Sequence, residues 1–150
     1  MFRKATPDDC EKVYELICDM ENTVLPYDDF AEILRKQLND EKYYCLLYDM
    51  DEKVIGILNL RFEDQLHHAD RIAEILELAV DKDYRNNGIG KSLLSQACRI
   101  AKQNGCVQIE VDCNQIRHDT HRFYSREGMQ NSHYKFTKVL KNDGVDVQPE

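Results

Sequence analysis

Arg85, Asn86, Asn87, Gly88, Ile89 and Gly90 lie between a stretch that reads as a strand and one that reads as a helix. Glycines let a ligand approach the backbone, and the unpaired amides of a helix N-terminus, aided by the helix dipole, suit a pyrophosphate. Arg85 and Lys91 could add positive charge there, and Ser92 a hydroxyl donor. The competing reading is an ordinary turn whose glycines serve only its tightness. The glycine spacing is not that of a dinucleotide fingerprint, and no Gly-Lys-Ser/Thr completes a P-loop, so NAD and ATP are disfavoured.

Glu74 and Glu77 interrupt an apolar run from Arg71 to Val80. Ionised carboxylates are rarely buried without partners, so these two face solvent, form ion pairs, or serve as a general base. A spacing of three puts them on opposite faces of a regular strand, and only a bulge brings both to one cleft. His118 and His121, also three apart, can share a helical face, and His67 and His68 add further nitrogens. A divalent metal is therefore conceivable, but no fixed motif such as H-E-x-x-H is present, and structural or substrate-facing roles are preferred.

These residues need elements to hold them. Phe2 to Ala5 predicts a short strand, stopped at Thr6 and Pro7, with Thr6 as a cap and Asp9 in the first turn of a helix. Cys10, Val13, Ile17 and Met20 give that helix one apolar stripe, and a second helix begins near Asp28 with Phe30, Ile33, Leu34 and Leu38 on one face. Tyr43 to Tyr48 and Val54 to Phe62 predict a hairpin across a polar turn, and Arg71 to Val80 a central strand. Gly88 to Asn104 returns to helical period and stops at Gly105; Cys106 to Cys113 reads as a strand. Arg117 to Glu127 predicts a short helix, and His133 to Leu140 a last strand. The order βααβββαβαβ implies an α/β class with a mixed sheet and helices on both faces.

The 150 residues fit one domain, expected over 1–140, with residues 141–150 as a flexible tail. Apolar residues make up 42% and charged ones 32%, the balance of a globular protein. No apolar leader or membrane span is evident, so the expected location is the cytoplasm. A net charge of −8 opposes nucleic acid and anionic lipid surfaces as partners, while a local nest of amides can still hold a phosphate-bearing cofactor. None of the six cysteines forms a C-x-x-C pair, so they are expected to be reduced thiols filling the core.

From Glu74 to Leu94, the strand ending in Leu78, Ala79 and Val80, the loop, and the following helix resemble the acyl-CoA-binding motif of the GNAT acetyltransferases. Asn86 and Asn87 stand where that family often has Gly or basic residues, and Asn tolerates the turn conformations required. Asn114, then Phe123, Tyr124 and Gly128, resemble the family's second signature. The resemblance implies acetyl-CoA as co-substrate and a GNAT-type, mostly antiparallel mixed sheet. It also implies that Asn114 contacts the pantetheine arm and that Tyr124, beside the sulfur, is a general acid; the other reading is a core aromatic pair. A bulge is implied near Glu74 and Glu77, either of which would be the base, with the Leu78 amide polarising the thioester carbonyl.

Arg117 to Gly128, Ser132 to Lys138, Leu66 to His68 and the Glu74 to Leu78 strand more closely resemble the aminoalkylphosphonate N-acetyltransferases. Thr120 and Ser125 depart from that pattern and could reshape the acceptor pocket. The acceptors implied are small aminoalkylphosphonates, whose dianion calls for donors from Arg117, His118, His121, His133 and Lys135. The expected reaction is direct attack in a ternary complex. Cys113 has no evident base partner and reads as packing. Alternatives are acetylation of another small amine or a protein amine, or a CoA-binding sensor without turnover; a homodimer is compatible with each.

Overall fold

Pro7 cannot extend a ladder and suits the start of a helix, so β1 (Phe2–Lys4) ends quickly. In the computed structural model, which describes residues 1–141, a 3-10 turn at Pro7–Asp9 leads into α1 (Cys10–Glu21). Asp9 accepts from the Thr6 amide at 2.7 Å and from Arg3 Nη1 at 2.8 Å, while Arg3 Nε donates to Asp49 at 2.5 Å. One guanidinium thus ties the start of the chain to the second strand. There follow α2 (Tyr27–Leu38), β2 (Tyr43–Met50), β3 (Lys53–Gln65), β4 (Asp70–Val80), α3 (Ile89–Gln103), β5 (Gln108–Val111) and α4 (His118–Arg126).

The sheet runs β1-β2-β3-β4-β5, antiparallel except for the parallel β4–β5 pair. Cys45, Leu47, Ile57 and Ala79 on the sheet form one buried cluster with Val13, Leu16 and Ile17 of α1 and Leu34 of α2. Gly56 belongs to an adjacent cross-strand row, and a Cβ there would lie 2.9 Å from Leu93 Cδ1 of α3. Its missing side chain lets α3 approach the other face. Helices on both faces of a mixed sheet give the expected α/β class.

The units Met1–Val111 and residue 112 onward are compact by themselves. The first holds the sheet and α1 to α3, the second α4 and the segment after it. Three expectations need correction. The strand expected to end at Phe62 runs on to Gln65 and stays laddered to β4 through polar residues, because ladder hydrogen bonds use the backbone whatever the side chains; only Leu66 to Ala69 turn. The strand expected over Cys106 to Cys113 shrinks to the four residues that pair with β4. The strand expected over His133 to Leu140 is absent. Its alternation supplies two side-chain faces, but among the described residues no neighbouring backbone is laddered to it, and Tyr134 and Phe136 are 83% and 92% exposed. The tail expected over residues 141–150 lies, from 142, outside the described residues. All six cysteines are free thiols, and among the described residues no helix is long and apolar enough to cross a membrane.

Candidate active site

β4 has neighbours on both sides for only part of its length. β5 pairs with it from Ile72 to Ile75, whereas residues 77–80 are laddered to β3 alone among the described residues. There the register shifts: Asn59 faces Glu77 and Leu60 faces Ile75, leaving Leu76 as an extra residue. The added residue moves Glu77 onto the face that carries Glu74, because their partners Asn59 and Arg61 are two apart on β3. The bulge that the two carboxylates required is present. The Asp81 amide donates to the Ile55 carbonyl of β3 at 2.7 Å. Alternation along the strand then turns the Leu78 and Val80 amides away from β3, toward the side where β5 has ended, while the Ala79 amide faces β3.

The two glutamates differ sharply in their surroundings. Glu74 accepts from Arg61 Nη2 at 2.5 Å, and Arg61 lies 3.4 Å from Glu63. Glu77 accepts instead from Asn59 Nδ2 at 3.0 Å. Burial pushes the Glu77 carboxyl above the ordinary carboxylate range, the Asn59 hydrogen bond partly offsets this, and the Glu21 charge adds to the rise. Asn59 and Arg61 escaped the sequence reading. The signal was there: a lone Asn and a lone Arg in the apolar run from Val54 to Phe62.

Val80 leads into the loop. Its carbonyl accepts from Arg85 Nε at 3.2 Å, and Arg85 Nη2 donates to Asp19 at 2.9 Å, so this guanidinium is already partnered. Asn86 takes a left-handed φ of 65°, and Asn87 Nδ2 donates to the Tyr84 carbonyl at 3.2 Å. Gly88 caps α3 with φ 78°, and a Cβ there would meet nothing within 4 Å. The glycine is needed for its backbone conformation, and the space beside it is open. The first carbonyl to be used is that of Gly88, by Ser92 at 3.0 Å, so helix geometry leaves the Ile89, Gly90 and Lys91 amides at the free N-terminal end. Lys91 and Ser92 are exposed, while Ile89 is buried and anchors the turn. These amides, with the helix dipole behind them, suit an anionic diphosphate.

In the second unit, Tyr124 is 9% exposed and its ring lies 5.2 Å from that of Phe123. Burial, with a smaller contribution from Cys113 and opposed by Arg117, pushes the Tyr124 phenol up to about 12, so it stays protonated at neutral pH. The Asn114 side-chain oxygen accepts from the Ile116 amide at 3.1 Å, and its carbonyl lies 2.8 Å from His121 Nε2; Asn114 thus braces the approach to α4. Arg117 and His118 line an open depression of about 620 Å³ with Ile116, Asp119, Thr120 and Arg122. His121 is not part of that lining, nor are His133, which contacts Ser132 Oγ at 2.7 Å, and Lys135, which lies 3.6 Å from Asp112. His118 and His121 have ring centroids 6.2 Å apart, and among the described residues no three His, Cys, Asp or Glu side chains gather as a metal-binding group.

Residues 10–129 match the Acetyltransferase (GNAT) family. The chain is 39% identical over 139 residues to an aminoalkylphosphonate N-acetyltransferase of Salmonella typhimurium, covering 93% of this chain and 90% of that protein. It is 24% identical to glucosamine 6-phosphate N-acetyltransferase 1 of Dictyostelium discoideum, covering 89% of each. Among solved structures, a transcriptional regulator from Bacillus halodurans shares the fold with a TM-score of 0.86 at 23% identity, over 93% of this chain and 99% of that one. The chain belongs to the GNAT acetyltransferase family, and it is an acyltransferase.

Proposed function

We propose that the chain, through a domain spanning residues 1–140, transfers the acetyl group of acetyl-CoA to the amine of a small aminoalkylphosphonate, by direct attack while both are bound. The observation that carries the chemistry is the bulged end of β4, with one half-buried carboxylate of raised pKa, an outward-turned amide and an adjoining helix N-terminus. In this reading the Ile89, Gly90 and Lys91 amides hold the diphosphate. Glu77 takes a proton from the ammonium, directly or through water. The freed nitrogen forms its bond to the thioester carbonyl carbon while the Leu78 amide faces the oxygen that gains charge. As the carbon–sulfur bond breaks, the Tyr124 hydroxyl donates to the departing sulfur, and the extra proton left on the nitrogen passes through water to the phenolate. Glu74, neutralised by Arg61, shapes the same face without serving as base.

The acceptor assignment is supported by the 39% relative and by Arg117 and His118 around one depression. A phosphate-bearing amino sugar is the second reading, favoured by the Dictyostelium relative. Both classes join an amine to a phosphorus oxyanion. Thiol release from acetyl-CoA, followed with and without a chelator, tests the choice. We expect 2-aminoethylphosphonate or a 1-aminoalkylphosphonate to give higher kcat/KM than spermidine, an aminoglycoside, a lysine peptide or an alkylamine of matched length. A lost charge-assisted bond costs about 1.5–3 kcal/mol, roughly tenfold or more in selectivity. Phosphonates no better than matched alkylamines would refute the acceptor class, and glucosamine 6-phosphate ranking first would select the second reading. Turnover of any amine rejects a CoA-binding sensor.

A further inference from the structure

Asn59 stands in the middle of β3, in a cross-strand row with Cys45 on β2 and Glu77 on β4. It is 5% exposed, and the next row on the same face, Leu47, Ile57 and Ala79, is wholly apolar. Its amide has two N–H groups and both are used: Nδ2 donates to Gln37 Oε1 of α2 at 2.9 Å and to Glu77 Oε2 at 3.0 Å. Its Oδ1 is buried and has no hydrogen-bond partner. An unpaired buried acceptor is costly, so an amide here is a poor choice for stability alone; a leucine or cysteine would fill the row without that penalty. What the amide supplies is a donor, aimed at one oxygen of one carboxylate.

We propose that Gln37 and Asn59 form a positioning relay for Glu77, in which the Gln37 carbonyl fixes the orientation of the Asn59 amide and that amide holds Glu77 Oε2, leaving Oε1 to receive the proton of the incoming amine. The inference rests on Glu77 as the base. Its logic is geometric. Rotating the Asn59 amide by half a turn would set Oδ1 against the Glu77 carboxylate, which can only accept, so the carboxylate selects the donor orientation and the Gln37 carbonyl, taking the second N–H, holds it. The relay also joins the C-terminal turn of α2 to the bulged end of β4, two elements that no ladder connects. The groups around Glu77 are Glu21 from α1, Gln37 from α2, the Cys45 thiol from β2 and Asn59 from β3, with the Arg61–Glu74 pair next along the same face. Glu21 and burial both favour the protonated carboxyl, and Asn59 is the group that opposes them. The Cys45 thiol, itself pushed up to about 12 by burial, with smaller contributions from Glu77 and Asp9, adds no charge at neutral pH.

The test compares Asn59→Leu, Gln37→Leu and Glu77→Gln in the full chain. Two readouts are used: the pH profile of acetyl transfer, and the titration of the Glu77 carboxyl carbon by NMR, which requires no turnover. With the donor gone, the Glu77 titration and the acid limb of kcat should both move to higher pH in Asn59→Leu. At neutral pH kcat should fall about tenfold or more, while KM for acetyl-CoA stays at the wild-type value. Gln37→Leu should shift both in the same direction by less. Asn59→Leu combined with Glu77→Gln should be no slower than Glu77→Gln alone, since residues acting through one group do not add. Thermal stability of Asn59→Leu should hold or rise. A purely structural Asn59 predicts loss of stability with an unmoved Glu77 titration, and that result overturns the relay. Should Asn59→Leu fail to fold, an unmoved titration in Gln37→Leu overturns it equally. If Glu77→Gln keeps full turnover, the base assignment has failed, and the NMR titration still decides whether the relay exists.

Discussion

A carboxylate pressed against a guanidinium already has an oxygen occupied by a charge-assisted bond. Glu74 is held in that way by Arg61, whereas Glu77 is half buried, held by a neutral amide, and raised by burial above the ordinary carboxylate range. Glu77→Gln should therefore lower kcat by about 10²–10⁴, the range for a general base, and Glu74→Gln far less; steady-state rates across pH would show it, and equal rates in both variants would place the base elsewhere. The stability effect has the opposite sign. Because burial raises the folded carboxyl above its unfolded value, Glu77 costs the fold stability as pH rises through the folded value, and nothing below the unfolded one. Glu77→Gln should thus unfold at the same or a higher temperature than the parent at neutral pH, with no such gain in acid. Tyr124→Phe keeps the buried ring and removes only the hydroxyl. It should lower kcat and kcat/KM together with little change in acetyl-CoA affinity by calorimetry, the pattern of an interaction made in the transition state. A change in affinity alone would make Tyr124 a binding residue.

At the level of elements, the end of β4 matters more than any strand interior. β5 pairs with it over four residues and stops, the bulge at Leu76 follows, and Gly88 turns the chain into α3. Gly88→Val puts a β-branched residue at φ 78°, where L side chains are strained by about 1–2 kcal/mol, and it fills the open space beside the helix N-terminus. We expect a modest loss of thermal stability and a much larger loss of acetyl-CoA binding; binding at parental affinity in the folded variant would show that the ligand does not approach that backbone. The Gly88 turn was legible in the sequence because glycine at a helix start is a local signal, and the apolar periods of α1, α2 and α3 were legible for the same reason. The difference in surroundings between Glu74 and Glu77 was not, since it depends on Arg61 and Asn59, which a strand period places on the same face as other residues without saying what they touch. The segment from His133 to Leu140 failed in the opposite way: alternation was present, but a strand also needs a partner, and no local pattern supplies one.

On the scale of the whole molecule, a net charge of −8 works against any anionic ligand, so acetyl-CoA binding has to come from local groups that outweigh the average field. In the proposed function the amides at the start of α3 and the outward-turned amides of β4 fill that role, and their arrangement exists only in the folded chain. A ligand bound by the native state alone stabilises it by RT ln(1 + [L]/Kd), about 2.7 kcal/mol at a hundredfold excess over Kd. For a chain of 150 residues that corresponds to a rise in Tm of roughly 5–10 °C. Acetyl-CoA and CoA should both produce it in a thermal melt, because the diphosphate is common to them. NAD and ATP also carry phosphates, yet neither has the pantetheine arm that can lie along the stretch of β4 that β5 does not reach, so each should protect much less. Gly88→Val should lose most of the protection by acetyl-CoA while Glu77→Gln keeps it, which separates cofactor binding from proton transfer in a single series of melts. If NAD or ATP raises Tm and acetyl-CoA does not, the helix N-terminus serves a different nucleotide and the co-substrate assignment falls.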